Sequence, residues 1–274
     1  MACVELRFYS HVLGMDTCAM VLLPEKRMQP IENLSDKKYP VLYLLHGHSD
    51  DESSYIRKSN IEILARDHEL IVVMPNAHRS FYCDYPGGFP YYTYLTEELP
   101  LKVANFFHAS CKPEDTYVAG LSMGGLGAMK LALNHPEHFA AVASMSGLLD
   151  PYWLHVPGKT PSFQAFSDPV SLNNLRAALG TPENFVGSCS DLFSLIEKLP
   201  QSANPKLRIF QCCGSEDMLI DQNRAFHTFA SQKLSSEYYT YKEIPGIHNW
   251  DYWNQALVDV MNFFGFAKDA DANF

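Results

Sequence analysis

Residues 116–125 read Thr-Tyr-Val-Ala-Gly-Leu-Ser-Met-Gly-Gly, and this stretch decides the fold. The apolar run at 116–119 leads into Gly120-Leu-Ser-Met-Gly124, which matches the pattern G-x-S-x-G. Residues 123–134 are mostly small or long and unbranched, which predicts a helix. A serine at a tight strand-to-helix turn is raised above the sheet, with the helix N-terminus behind it. The pattern therefore makes Ser122 a candidate nucleophile, and a glycine-rich turn with an ordinary capping serine is the alternative.

Strand-like and helix-like stretches alternate on both sides of this turn. Apolar runs typical of strands covered on both faces occur at 40–45, 70–74, 139–145, 207–212 and 238–243. Helical spacing of apolar residues lies between or after them, at 95–108, 221–234 and 253–264. Two edge strands, at 5–9 and 17–23, come first and are joined by a turn around 14–16. This repetition predicts an α/β fold with a mostly parallel central sheet flanked by helices.

The chain is predicted to form one domain over residues 1–274. This length is near the upper limit for a single hydrophobic core, and 47% of the residues are hydrophobic. Between about 148 and 206 the alternation stops, and several prolines separate short helix-like pieces. A stretch of roughly sixty residues is too long for a plain connection. We therefore interpret it as a cap-like insertion that covers or shapes a site.

Charge and composition exclude several classes of protein. The net charge is −10 and no basic stripe is present, which argues against binding to nucleic acid. No run reaches the roughly 18 apolar residues of a membrane span, and the N-terminus does not resemble a signal peptide. The seven cysteines form no CxxC pair, which argues against a disulfide framework or a structural zinc site. We therefore expect a cytoplasmic protein with no membrane or nucleic-acid partner.

A serine hydroxyl is a weak nucleophile until a base takes its proton, and the acid and base are expected after Ser122 along the chain. Eleven histidines compete for the role of base. His248 is the best candidate because it lies in a turn between the last predicted strand and the last predicted helix. Asp217, just past the preceding strand, is the preferred acid because it would hold the imidazole in one tautomer. Glu216 and Asp221 remain alternatives for the acid.

Two backbone amides are needed to stabilise a tetrahedral oxyanion. The amide of Met123, directly after the candidate nucleophile, is one candidate. The other is the amide of His48, because the small Gly47 before it lets the backbone approach a substrate. A competing interpretation makes His46 and His48 metal ligands, but no third and fourth ligands stand at a suitable spacing. We therefore expect no metal at these two histidines.

Aromatic residues mark a candidate substrate pocket. The segment 81–94 contains seven of them around the loop sequence Pro86-Gly-Gly88. Tyr85 and Tyr91 are predicted to line an acyl or aryl pocket, and Trp250 to wall the site beside His248. A packed loop that buries its own rings is an equally good interpretation of 81–94.

Taken together, these stretches resemble the tributyrin-esterase branch of the esterase D-like α/β-hydrolases. The matching stretches span nearly the whole chain in the order of the family: Tyr39-Pro-Val-Leu-Tyr-Leu-Leu-His-Gly47, Val72-Val-Met-Pro-Asn76, Glu97-Glu-Leu-Pro100, Gly120-Leu-Ser-Met-Gly-Gly125, Cys213-Gly-Ser-Glu-Asp217 and Pro245-Gly-Ile-His-Asn-Trp250. The resemblance implies an α/β-hydrolase fold, a Ser122–Asp217–His248 triad and an oxyanion hole from the amides of His48 and Met123. It also implies hydrolysis of short-chain acyl esters without a cofactor, often in a homo-oligomer.

We therefore expect a serine carboxylesterase that acts on small esters through an acyl-enzyme intermediate. A feruloyl or acetylxylan type of esterase, or an S-formylglutathione hydrolase, is the enzymatic alternative. An alternative of another class is a non-catalytic binding protein on the same scaffold.

Overall fold

The computed structural model describes residues 1–25, 37–66, 68–84, 87–151, 169–202, 204 and 206–266. These residues form an eight-stranded sheet in the order β1-β2-β4-β3-β5-β6-β7-β8. The first two strands run antiparallel to their neighbours, and every pairing from β4 onward to β8 is parallel. The strands are β1 (Ala2–Ser10), β2 (Met15–Leu23), β3 (Val41–Leu45), β4 (Ile71–Pro75), β5 (Thr116–Leu121), β6 (Ala141–Met145), β7 (Arg208–Gly214) and β8 (Tyr239–Ile244).

Ten α-helical segments among the described residues connect and cover these strands. They are α1 (Ser54–Lys58), α2 (Ile61–Ala65), α3 (Tyr91–Thr93), α4 (Leu99–Phe106), α5 (Met123–Asn134), α6 (Pro169–Leu179), α7 (Pro182–Phe185), α8 (Leu192–Lys198), α9 (Ile220–Lys233) and α10 (Trp250–Phe264). None of the helices in the described part of the chain is both long enough and apolar enough to pass through a lipid bilayer.

Apolar clusters lie on both faces of the sheet. Strands β3, β4 and β6 are buried along their whole length, which explains why they read as unbroken apolar runs. One cluster includes Val103 of α4, Leu126 of α5 and Phe226 of α9. The other includes Ile61 of α2 and Leu257 of α10. The sheet is therefore a rigid central layer, and the loops at its carboxyl edge are held from both sides.

Two predicted elements differ from the structure. The first turn lies before Met15, since Met15 and Asp16 already pair with Ser10 and Tyr9 in the antiparallel ladder. The helix predicted at 95–108 begins earlier, at Tyr91, and passes through a π-helical segment, Tyr94–Glu98, before α4. Pro100 explains the interruption, because it has no N–H to donate to the carbonyl four residues earlier.

The predicted insertion at 148–206 lies partly outside the described residues, since 152–168 are among those not described. Its described part contains helices α6, α7 and α8. Helix α8 packs against α5 and α9, and Leu192 and Ile196 are buried in the same cluster as the core side chains of α5. This part of the insertion therefore rests on the helix that begins at the G-x-S-x-G turn.

Candidate active site

Ser122 lies at the turn between β5 and α5, in a backbone conformation that serine rarely adopts. Its φ is 54° and its ψ is −117°. The turn is possible because glycines stand where backbones meet: a Cβ on Gly120 would lie 2.2 Å from the carbonyl oxygen of Gly124. A strained conformation of this kind persists only where the surrounding structure holds it in place. Here the Ser122 N–H donates to the carbonyl of Met145 at 2.9 Å. The side chain is thereby held above the carboxyl edge of the sheet.

The hydroxyl of Ser122 contacts His248, and His248 contacts Asp217. The Ser122 Oγ lies 2.9 Å from His248 Nε2. On the other side of the ring, His248 Nδ1 lies 3.0 Å from both carboxylate oxygens of Asp217. With Nδ1–H donating to the carboxylate, Nε2 presents its lone pair to the serine hydroxyl. The three side chains predicted to work together are therefore brought into one continuous hydrogen-bonded chain.

Backbone contact between two loops brings the acid and the histidine together. A Cβ on Gly214 would lie 2.3 Å from the carbonyl oxygen of Gly246, so the loops after β7 and β8 touch without side chains between them. The Glu216 N–H donates to the carbonyl of Gly246 at 3.0 Å. Asp217 Oδ1 also accepts from the N–H of Leu219 at 2.8 Å. The carboxylate is thus oriented by its own loop before it meets the imidazole.

The two alternative acids lie in different surroundings. Asp217 is 2% exposed, whereas Glu216 and Asp221 are both exposed. Asp221 lies in the first turn of α9, where a carboxylate favours the helix dipole. Of the three carboxylates, Asp217, which the sequence favoured, is the one that lies buried against His248.

The segment 46–51, which we call the oxyanion loop after the role predicted for it, passes directly beside Ser122. A Cβ on Gly47 would lie 2.8 Å from a methyl carbon of Leu121 and 3.8 Å from the Cβ of Ser122. The start of α5 is pressed against the same loop, since a Cβ on Gly124 would lie 2.1 Å from the carbonyl oxygen of Leu45. The backbone at Gly47 and the first turn of α5 are therefore packed closely beside the nucleophile.

A buried histidine holds the oxyanion loop. His46 is 1% exposed, its Nδ1 lies 2.8 Å from the Gly47 carbonyl oxygen, and its Nε2 accepts from the Ala77 N–H at 3.0 Å. Burial lowers the pKa of this imidazole, which keeps it neutral with Nδ1–H as donor. The Gly47 carbonyl belongs to the same peptide plane as the His48 N–H, so this bond also orients the His48 amide. With both ring nitrogens bonded, His46 is not available as a metal ligand, and the H-x-H alternative fails.

Two tyrosine hydroxyls tie this loop and the end of β3 before it to the core. Tyr82 Oη donates to the carbonyl of His46 at 2.8 Å, and Tyr55 Oη donates to the carbonyl of Leu45 at 3.2 Å. Both side chains are fully buried, and burial raises the pKa of each phenol well above its usual value. This support could not be predicted from the sequence, because His46, Tyr55 and Tyr82 carry no motif beyond the histidine before Gly47.

The predicted pocket residues have different positions. Tyr85 lies outside the described residues. Tyr91 is 3% exposed and packs against the rings of His78, Phe89 and Tyr94, so it lies in the core. Trp250 is half-buried, edge-on to Trp253, whose own ring lies 4.9 Å from that of His248. Trp250 thus belongs to the aromatic wall behind the histidine.

A mostly parallel sheet in this strand order, with a serine at the turn between β5 and α5, defines the α/β-hydrolase fold. The Esterase family model, whose description reads "Putative esterase", matches residues 10–264. The chain belongs to this esterase family and is an ester-hydrolysing enzyme.

Relatives of known structure or activity are similar over nearly the whole chain. An acetyl esterase of Caldicellulosiruptor saccharolyticus is 27% identical and aligns over 98% of this chain and all of the relative. The fluorophosphonate-binding serine hydrolase F of Staphylococcus aureus, FphF, superposes with a TM-score of 0.81 at 29% identity, over 96% of this chain and 98% of that one. The S-formylglutathione hydrolase FrmB of the same organism gives 0.76 at 28% identity, with the same coverage.

Proposed function

We propose that this enzyme is a serine carboxylesterase for small, uncharged short-chain acyl esters. Ser122 is the nucleophile, His248 the general base and Asp217 the residue that orients the base. The amides of His48 and Met123 form the oxyanion hole. We also propose that it works in the cytoplasm, where its seven free thiols stay reduced.

One observation carries the catalytic part of the proposal. The hydrogen-bonded chain from Ser122 through His248 to Asp217 has contacts of 2.9 and 3.0 Å and ends on a carboxylate whose side chain is 0% exposed. A buried carboxylate beside an imidazole stabilises the imidazolium that forms when the serine proton is taken. A capping serine in an ordinary glycine-rich turn would need neither partner.

The reaction follows from these positions. Ser122 Oγ attacks the ester carbonyl while its proton passes to His248 Nε2, and the carbonyl oxygen becomes an oxyanion between the two amides. The tetrahedral species collapses when His248 gives the proton to the departing alcohol, leaving an acyl-serine ester. Water, deprotonated by His248, then attacks the acyl carbon, and Ser122 leaves with its proton restored.

Local charge favours an uncharged substrate over one that carries carboxylates. Asp50 and Asp51 belong to the oxyanion loop, and Glu52 follows directly. Lys58 is bound to Asp50 with 2.6 Å between Nζ and Oδ1, and Arg57 Nη2 lies 3.3 Å from Asp51 Oδ1, so three carboxylates face two cations. Glutathione carries two carboxylates, which these acidic side chains would repel. The similarity to an acetyl esterase points to the same class of small esters.

A panel of substrates tests the proposal. The purified chain is given p-nitrophenyl acetate, butyrate and octanoate, tributyrin, methyl ferulate, acetylated xylo-oligosaccharides and S-formylglutathione, with Ser122→Ala as control. We expect the highest kcat/KM on acetate or butyrate and a loss of several orders of magnitude in the variant. A higher kcat/KM on S-formylglutathione or methyl ferulate would refute the substrate assignment.

A second measurement tests the nucleophile itself. A fluorophosphonate probe is expected to label the wild type at Ser122 and to leave Ser122→Ala unlabelled. Labelling at another serine, or ester hydrolysis by Ser122→Ala near the wild-type rate, would show that the nucleophile has been assigned wrongly.

A further inference from the structure

A group of metal-ligating side chains lies at the far end of α5 from Ser122. Helix α5 has twelve residues, so its ends are roughly 18 Å apart at 1.5 Å per residue. His135 caps the helix, and Pro136–His138 form one turn of 3₁₀ helix in which the His138 N–H donates to the His135 carbonyl at 3.0 Å. In a 3₁₀ turn the side chains at i and i+3 lie above one another, so His135 and His138 share a face.

Glu137 brings a carboxylate to the two imidazoles. Glu137 Oε1 lies 3.8 Å from His135 Nδ1 and 3.7 Å from His138 Nε2. One ligand atom from each of the three residues lies within 4.8 Å of the other two. Metal–ligand bonds of 2.0–2.1 Å in a tetrahedral site put ligand atoms about 3.3 Å apart. A contraction of a few tenths of an ångström would therefore bring Glu137 and either histidine to ligand spacing.

The two rings are nearly parallel, with an interplanar angle of 8° and centroids 5.4 Å apart. An ion bonded to both must lie near the plane of each ring, so one ring has to turn. The side chain of His138 is 57% exposed, and nothing buried has to move when it rotates towards Glu137.

The surroundings of His135 suit a metal ligand. Its Nε2 lies 2.9 Å from the hydroxyl of Tyr92, which can accept the Nε2–H and leave the Nδ1 lone pair facing Glu137. A partner on the other nitrogen is the usual support of a metal-binding histidine.

We propose that His135, Glu137 and His138 form a binding site for a divalent transition-metal ion, with zinc as the best match. Imidazole nitrogen suits zinc, nickel and copper, whereas calcium and magnesium prefer oxygen alone. His135 and His138 also line an apolar cavity of about 420 Å³ between α4 and the sheet, so a bound ion would sit at the rim of that cavity. The site is separate from the esterase machinery and does not depend on the proposed function.

The test is calorimetric titration of the chelator-treated full chain with zinc chloride. We expect the wild type to bind one ion at this site. His138→Ala and Glu137→Gln should weaken binding at least about tenfold, and Tyr92→Phe, which keeps the ring but removes the hydroxyl, by roughly tenfold or more. His11→Ala and His108→Ala, at exposed histidines elsewhere, are matched controls that should bind as the wild type does. Cobalt absorption in the visible range reports the ligand set independently.

Three results would overturn the assignment. Zinc binding that is unchanged in both His138→Ala and Glu137→Gln would place the ion elsewhere. Binding that disappears in His248→Ala would place it at the esterase site. A wild type that binds no zinc at millimolar concentrations would remove the site altogether. Thermal unfolding of each variant without metal establishes that a loss of binding is not a loss of fold, since all three ligands lie on the surface or at its edge.

Discussion

Asp217→Asn is the substitution that most directly separates the proposed acid from its neighbours. His248 Nδ1 lies 3.0 Å from each carboxylate oxygen of Asp217, and Oδ1 also accepts from the Leu219 N–H. In the variant, one of these two positions becomes an NH₂ group. Because the Leu219 N–H needs an acceptor, the amide oxygen takes the Oδ1 position and the NH₂ group takes the Oδ2 position, next to His248 Nδ1. A donor then lies 3.0 Å from Nδ1 at the Oδ2 position, beside the amide oxygen at the Oδ1 position, and it favours the tautomer in which Nδ1 accepts and the proton is on Nε2.

The size of the effect follows from that tautomer. With a proton on Nε2, His248 donates to Ser122 instead of accepting from it, and the nucleophile loses its base. The same exchange in serine-protease triads lowers kcat on the order of 10⁴-fold, which corresponds to about 5.4 kcal/mol in the barrier. KM should change little, because Asp217 is 2% exposed and does not reach a substrate. The exchange keeps the volume of the side chain, so we expect the fold to remain.

The assay is the steady-state hydrolysis of p-nitrophenyl butyrate from pH 6 to 9. Glu216→Gln and Asp221→Asn are the matched controls, since each removes one exposed carboxylate from the same region. We expect a large loss of kcat in Asp217→Asn alone, at an unfolding midpoint close to that of the wild type. A near-normal kcat for Asp217→Asn, or an equal loss in either control, would refute the reasoning.

Substitutions at three further positions test the packing of the elements that carry the nucleophile. Gly124→Ala would place a Cβ 2.1 Å from the Leu45 carbonyl oxygen, so we expect a loss of about 1–3 kcal/mol or more in the free energy of unfolding, measured in urea, together with lower kcat. His46→Phe leaves the buried Ala77 N–H without its acceptor and should cost about 1–3 kcal/mol, with kcat reduced by up to roughly 10²-fold through the His48 amide. Because the fold lowers the pKa of His46, the unfolded chain binds one more proton at low pH, and the stability of the wild type should fall as the pH drops below about 6.5. The stability of His46→Phe should fall less steeply with pH, and equal pH slopes in the two proteins would contradict this. Lys130 is 0% exposed, and its Nζ lies 2.8 Å from Cys83 Sγ. Lys130→Met should therefore be neutral or stabilising by about 1–4 kcal/mol, and Lys130→Ala should be destabilising by about 2–5 kcal/mol. If urea unfolding finds Lys130→Met less stable than Lys130→Ala, the lysine–thiol contact outweighs the cost of burying the charge.

The residues that support the oxyanion loop do not belong to any sequence motif. His46 precedes Gly47 in the sequence, which drew attention to it only as a doubtful metal ligand. Its partners, Ala77 and Tyr82, lie 31 and 36 residues further along the chain. No local pattern relates residues at those separations. The role of His46 in orienting the His48 amide therefore became visible only with the loops in place.

The elements of the fold could be predicted because each is specified locally. Strands β3, β4 and β6 are buried on both faces and read as unbroken apolar runs, and α5 occupies the residues that its composition predicted. The bounds of the elements were harder to predict from the sequence. The π-helical segment before α4 was missed because the apolar spacing predicts a regular helix there, and a single residue, Pro100, interrupts it.

By itself, the sequence determined the α/β class, the G-x-S-x-G turn at Ser122 and a short set of partners for it. Only the tertiary structure shows which of those residues meet, because Ser122 and His248 are separated by 126 residues and Asp217 and His248 by 31. Of the three neighbouring carboxylates, the preferred Asp217 is the one buried against the imidazole, where the backbone of Gly214 contacts that of Gly246. The burial of Tyr91 in the core and the position of His135 beside Glu137 likewise depend on tertiary packing. Desolvation and close packing determine these contacts, and both act over the whole fold.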